Sequence, residues 1–421
     1  MEGRYLETMS DQLAADAFFG WLDYDEHEAQ RMREVFGAFD DKETIDSLGL
    51  GVIRDSISDQ LFPGVSTIQT RARYFLFVPW ICQILEAERV APTAFARRLR
   101  ELEVALIESL RAVEGDSQGV IGYRARQRLT RLPSTVYWNG LRVFGIRLLD
   151  LSTANYRGFV ARGGTAGLRV DRDDDGEPLS ALRGMWDPGL PPPPTGFPFE
   201  PISLTLTTDE SEYLAGKLAV SRPETMIAEL ARNLDVDRSV PLPWEVALPK
   251  PPERLSEVLV HGRRFSELME GAQTLYNLLL ARRSEREFDR DTAELQEYST
   301  GALDEWASKI TEEHTEFSSW LSGEEFWYAI ERVARVPTPT KRFVLAWADL
   351  ALSDPDSVPL SAAAESLITE REFRLKGKLA RLSEPRALES WNGDPFSPGQ
   401  MTFRWRNAQR ILDDLDQHEG A

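Results

Sequence analysis

Cysteine is nearly absent: Cys82 is the only one in 421 residues. A single thiol can form neither an intrachain disulfide nor a cysteine zinc site, and inside an apolar run it reads as a small, inert hydrophobe. Histidine is almost as sparse. His27, His261, His314 and His418 stand at no mutual ligand spacing, and neither HExxH nor a paired CxxC occurs, so the familiar zinc-enzyme patterns are excluded. Lysine is scarce as well, 7 against 42 Arg, a bias that favours bidentate contacts wherever positive surface is used. Long hydrophobic runs are missing. The strongest, YFLFVPWICQIL at residues 74–85, holds 12 residues and includes Pro79, where a membrane span needs roughly 20. The first residues, MEGRYLETMSDQLAAD, lack a basic start followed by an apolar stretch, so the expectation is a cytoplasmic protein without a membrane partner.

Catalytic signatures are missing too. No glycine-rich phosphate loop ending in Lys and Ser or Thr is present; Gly377 between Lys376 and Lys378 lacks the preceding glycine spacing, and Gly49 and Gly51 lack a third glycine. GVSTI at residues 64–68 has Ile where a serine-hydrolase elbow needs its last Gly, so Ser66 reads as a helix cap. DRDDDG at residues 171–176 places Asp171, Asp173, Asp175 and Gly176 as a calcium loop would, but the twelfth position is Leu182 and Pro178 intervenes, so a solvated acidic turn is the reading. Acid pairs such as Glu324 and Glu325 carry no information among 69 carboxylates. The expectation is a protein without enzymatic activity or cofactor.

What is present points to a mainly α, multi-domain helical protein with few short strands. With 42% apolar and 28% charged residues, the chain belongs with folded globular proteins, and its length favours two or three domains. Period-3.6 patterns predict helices at residues 50–61, from Ser66 or Thr67 past Pro79, at 92–114, 122–131, and from Pro133 to Ile146. Another is expected near Asp25, through Met32 and Phe36. In the pattern from Pro92, Leu99, Leu102, Leu106 and Leu110 face inward while Arg97, Arg98, Arg100, Glu101 and Glu103 face outward. An acidic and proline-rich stretch at 166–201 separates an N-terminal domain (1–165) from a C-terminal one (202–421), in which a further division near 336 stays open. One strand is expected at 203–207. Beyond it come helices at 211–220, 223–233, 255–283, 291–311, 325–333, 341–351, 363–382 and 401–415.

The most informative feature is a charge reversal. The whole chain carries −20, yet residues 61–170 hold 16 Arg and no Lys against 8 Asp plus Glu, a net of +8. Such a concentration of one sign in an acidic chain is commonly kept for an anionic ligand or an acidic partner surface. On a helix, Arg124, Arg128 and Arg131 share a face with Arg126 offset; a second helix brings Tyr137, Trp138, Asn139 and Arg142 alongside, in the manner of a helix-turn-helix. Arg71 and Arg73 widen this footprint, and Arg404 and Arg406, alternating with Phe403 and Trp405, form a second basic site. Two ordinary readings compete. The arginines pair with the acidic first 60 residues, or the aromatics are structural, Trp138 with Phe144 as core and Phe403 with Trp405 as cation–π anchors of the last helix.

Three strings, LFPGVSTIQTRARYFLFVPW (61–80), LPSTVYWNGLRVFGI (132–146) and FRWRNAQRIL (403–412), resemble a bacterial protein family of unknown function. The resemblance runs from WLDYDE at Trp21 to the last helix and offers no catalytic residues to carry over. It implies a setting in multi-gene antiphage or mobile-element neighbourhoods, beside helicases and nucleases. The combined expectation is a non-enzymatic accessory subunit of an antiphage defence system. Its arginine-rich face would contact DNA or RNA, and its acidic surface a protein partner such as a helicase or nuclease of the same operon. The alternatives are a protein-binding scaffold that touches no nucleic acid, or a divergent hydrolase without a recognisable motif.

Overall fold

Apolar residues recurring every three to four positions become helices, and local chemistry sets where each begins and ends. Asp46 accepts the amides of Leu50 and Gly51, donors that a helix start leaves open, and so launches α1 (Gly51–Leu61). The next helix, α2 (Tyr74–Ala87), holds Pro79 in its interior and is almost wholly buried. α3 (Pro92–Glu114) starts on proline and stops at Gly115, whose φ of 60° few other residues adopt. The computed structural model describes residues 46–115, 119–164, 184–396 and 399–418. Among them it has 15 α-helices and, apart from isolated bridges such as Arg147 with Trp186, no β-strand. The fold is mainly α.

Following α3, α4 (Pro133–Val143) and α5 (Thr153–Ala161) complete the N-terminal group, α2 lying against α3, α4 and α5. α4 approaches α2 so closely that a Cβ at Gly140 would stand 2.6 Å from the Gly64 carbonyl oxygen and 2.8 Å from the Phe75 ring; only glycine fits there. The chain then crosses the surface of this group at 184–202. Trp186 is buried, Phe197 stacks on Phe77, and the Trp80 indole donates to the Pro191 carbonyl at 2.7 Å. α6 (Thr208–Ser221) opens with a capping box between Thr207 and Glu210, and α7 (Met226–Arg232) folds back on it.

The spine of the remainder is α8 (Glu253–Phe288), 36 residues and so about 54 Å long at 1.5 Å per residue. Around it pack α9 (Ala293–Glu312), α10 (His314–Ser322), α11 (Glu325–Glu331), α12 (Thr338–Ser353), α13 (Ala362–Lys376) and α14 (Pro385–Glu389). Trp306 and Trp347 meet against α8 and donate their indole N–H groups to the Glu267 and Leu268 carbonyls, so buried tryptophans leave no donor unpaired. The last helix, α15 (Trp405–Asp416), returns to α6 and α7 and stacks Trp405 on Phe62 near the start of the described chain. One apolar cluster runs from Leu48 to Leu415, so the segments on either side of 166–201 share contacts.

Several local expectations differ from the structure; the helix expected over 363–382 stops at Lys376, where Gly377 takes a φ of 51°, and Ser66 caps no helix. Helix α2 begins at Tyr74, not at Ser66 or Thr67: the amides of Thr70 and Arg71 donate to the Tyr137 hydroxyl and that of Ala72 to Asp414, which holds residues 70–72 outside any helix. Residues 122–131 form turns around a short 3₁₀ segment, Arg126–Arg128, in place of a helix. Residues 203–207 make no strand, because Glu114 takes the Leu204 amide and the Ser203 hydroxyl. Glu103 lies fully inside, not outside. The expected helix near Asp25 and the DRDDDG segment lie outside the described residues.

Candidate nucleic-acid interface

The arginines of the positive window separate into two sets. In the first, side chains turn inward. Arg71 forms a two-pronged pair with Asp414, its Nε at 2.7 Å from Oδ1 and 3.0 Å from Oδ2. Arg73, only 6% exposed, reaches Glu210 at 2.8 Å and the Ser203 carbonyl at 2.7 Å. Arg147 is buried beneath Trp138, 4.7 Å from the ring centroid, and donates to the Leu149 and Leu151 carbonyls; burial lowers its pKa to about 10. From the far end of the chain, Arg404 takes a φ of 69° at the start of α15 and pairs with Asp59 and Asp55. Apart from this last contact, these arginines are matched by acids or carbonyls of later segments, not by the acidic first 60 residues.

The second set faces water. Residues 122–131 cannot continue as a helix because Gly122 and Arg126 have φ of 83° and 46°. A Cβ at Gly122 would meet Leu129 at 2.8 Å and Ile107 at 2.9 Å, so the turn is held tightly against α3. Its backbone is also clamped. Arg100 donates to the Gln127 and Leu129 carbonyls, the Tyr74 hydroxyl accepts the Ile121 amide, and the Arg111 guanidinium lies 4.8 Å from the Tyr123 ring centroid. On this rigid base Arg124, Arg126 and Arg128 are exposed. Arg126 has Glu108 at 3.7 Å; Arg124 and Arg128 make no ion pair among the described residues. Arg131 is half-buried.

Next in the chain comes α4. Its Thr135, Asn139 and Arg142 recur at i, i+4 and i+7 and form one exposed stripe, with Asp150 at 3.9 Å from Arg142. The two aromatics expected beside them turn the other way. Tyr137 is fully buried and bonds the backbone of Thr70 and Arg71, while Trp138 donates to the Leu151 carbonyl. The same holds at the second basic site. Phe403 and Trp405 are core, the latter bonding the Val240 carbonyl, and only Arg406 is exposed. Neither site offers a stacking platform for bases. Of the ten residues read from the sequence, Arg124, Arg126, Arg128, Asn139, Arg142 and Arg406 are exposed and Arg131 is half-buried. The structure commits Arg71, Arg73 and Arg404 to holding the fold.

Sequence reading missed the groups that support this surface. Glu103 sits on the inner face of α3, accepts the Ser134 amide at the start of α4 at 2.7 Å, and has its other oxygen unpartnered; burial raises its pKa to about 7. Its spacing from Leu99 and Leu106 already placed it on the apolar face. Glu86 accepts from the Tyr156 hydroxyl and the Trp186 indole, and burial holds its carboxyl above the usual range. Burial also pushes the Cys82 thiol up. Of the histidines, His261 accepts from Trp320 at 2.9 Å, and His314 and His418 lie by backbone carbonyls; His27 is outside the described residues. Among the described residues no group of three or more His, Cys, Asp or Glu is placed to hold a metal ion, and no helix is long and apolar enough to cross a membrane.

The chain belongs to a family of unknown function (DUF6361), whose model matches residues 16–419. No curated protein and no solved structure matches it.

Proposed function

We propose that this member of DUF6361 contacts the phosphate backbone of DNA or RNA through the surface formed by Arg124, Arg126, Arg128, Asn139 and Arg142. The observation that carries the reading is the clamped turn at 122–131, which holds three guanidinium groups in water within five residues, with one carboxylate nearby, in a chain of net charge −20. Charge kept unpaired on a rigid base is what counterion-releasing phosphate contact requires. With no recognition helix at 122–131 and no outward aromatic, this surface supports backbone contact more than base readout. The role is that of a non-enzymatic accessory subunit, and the acidic remainder is the surface for a protein partner such as a helicase or nuclease. An antiphage or mobile-element setting rests on the resemblance alone.

Affinity for a short duplex, measured across salt, tests the reading. About four phosphate contacts predict log K falling with log salt at a slope near −3.6. No binding at low salt, or an unchanged slope in Arg124→Glu with Arg128→Glu, overturns it and leaves a protein-binding scaffold.

A further inference from the structure

On α13 and just beyond it, FRLKGKL (373–379) forms a surface unlike the rest of this acidic chain. Three large apolar side chains are left in water there: Phe373 is 49%, Leu375 44% and Leu379 72% exposed. Between them stand Arg374, paired with Glu370 at 3.0 Å, Lys376, paired with Glu372 at 3.4 Å, and Lys378, which makes no ion pair among the described residues; two of the protein's seven lysines lie in these seven residues. An exposed apolar patch with a polar rim marks a docking surface, and Lys378 is the rim charge left without an acid. Its occupant would be apolar and acidic.

The chain itself supplies such a segment, and delivers it to this place. Residues 46–49 run across the end of α13: Lys376 Nζ lies 3.0 Å from the Ser47 hydroxyl, and Arg371 donates to the Leu48 and Gly49 carbonyls. A Cβ at Gly49 would stand 3.0 Å from the Leu375 methyl groups. Residues 1–45, outside the described residues, therefore join the fold beside Leu375 and Lys376. They carry 12 Asp plus Glu against 4 Lys plus Arg, a net of −8, opposite a surface whose residues 370–379 hold four Lys plus Arg against two Glu, a net of +2. In their sequence Leu13, Ala14, Ala17, Phe18, Trp21 and Leu22 recur at the spacing of a single apolar stripe flanked by Asp16 and Asp23. The 23 residues between Leu22 and Asp46 can span tens of ångströms, ample for a patch that starts at the point of attachment.

We infer that the acidic, apolar segment around residues 13–22 docks in cis on the Phe373–Leu379 surface. Burial of Phe18 and Trp21 against Phe373 and Leu379 provides the main contribution, and the acidic flank at Asp16 and Asp23 sets the orientation against Lys378. This inference is independent of the nucleic-acid reading, because the two surfaces share no residue.

Cysteine crosslinking in the full chain tests it, since the native Cys82 is buried and unreactive. Phe18→Cys with Leu379→Cys, treated with a short bismaleimide, is expected to give an intrachain product whose rate does not change on dilution. It should form about tenfold faster than the same product from Phe18→Cys with Val220→Cys, a residue that is 71% exposed on α6. Adding Arg374→Glu and Lys378→Glu is expected to slow it several-fold. Equal rates for the two pairs, or products formed only between chains, overturn the inference.

Discussion

Arg73 and Arg124 stand 51 positions apart in one positive window, yet they do opposite things. Arg73 is buried, tied to Glu210 and the Ser203 carbonyl, and joins α2 to α6; Arg124 stands in water on a turn whose backbone is already held by other residues. The difference teaches that a charge reversal along a sequence is not one signal. Part of it is structural mortar between distant segments, and part is unneutralised surface. Only the second part is available to a ligand, since a buried guanidinium pulled from its carboxylate leaves an uncompensated charge behind.

The sharpest break in that comparison comes from removing an inward arginine. Arg73→Ala leaves Glu210 buried without its partner and is expected to cost about 3–5 kcal/mol, read as a lower urea midpoint. A change of less than about 0.5 kcal/mol would place Arg73 with the surface set. A buried acid that lacks an arginine gives the next effect. Glu103 has a folded-state pKa raised to about 7 against an ordinary 4.5, so its contribution is full below about pH 4.5 and is lost as pH rises through about 7. Stability is therefore expected to fall by about 2–3 kcal/mol between pH 5 and 9, and Glu103→Gln, which keeps an acceptor for Ser134, is expected to flatten that slope. A variant with the parent's pH profile would refute this assignment.

For the outward set the expectation reverses. Arg124→Glu with Arg128→Glu is expected to leave the unfolding midpoint within about 0.5 kcal/mol of the parent while duplex affinity drops by tenfold or more and the salt slope shrinks by about 2. A large loss of stability with unchanged affinity would erase the distinction between the two sets. The smallest effect belongs to Arg142→Ala, where Asp150 at 3.9 Å already offsets part of the charge; a decrease of about threefold in affinity, uniform across sequences, is expected from competition binding.

Much of the fold was legible because helical periodicity is local. Pro92 and Gly115 bound α3, the long apolar register of residues 255–283 lies within α8, and residues 401–415 announce α15. The candidate surface was legible only in part. Arg124, Arg128 and Asn139 could be named from charge and residue type, but the turn carrying the arginines reads as a helix until Ile107, Leu129 and Arg100 are seen to hold it in another shape. Tyr137 and Trp138 look like nucleic-acid contacts in a string of letters. Their hydrogen bonds to Thr70, Arg71 and Leu151 make them core.

Composition and pattern alone therefore determined a helical chain with a concentration of arginine near its first third. Periodicity is a property of neighbours in sequence, and it survives any tertiary arrangement that buries the apolar stripe. Which arginines are spent inside was decided by tertiary structure. The acid that claims Arg71 is Asp414, 343 residues away, and no local pattern encodes a partner at that distance. Desolvation enforces the choice: a guanidinium drawn into the interior must find a carboxylate or carbonyls there, and one that remains on a clamped turn keeps its charge for the solvent side.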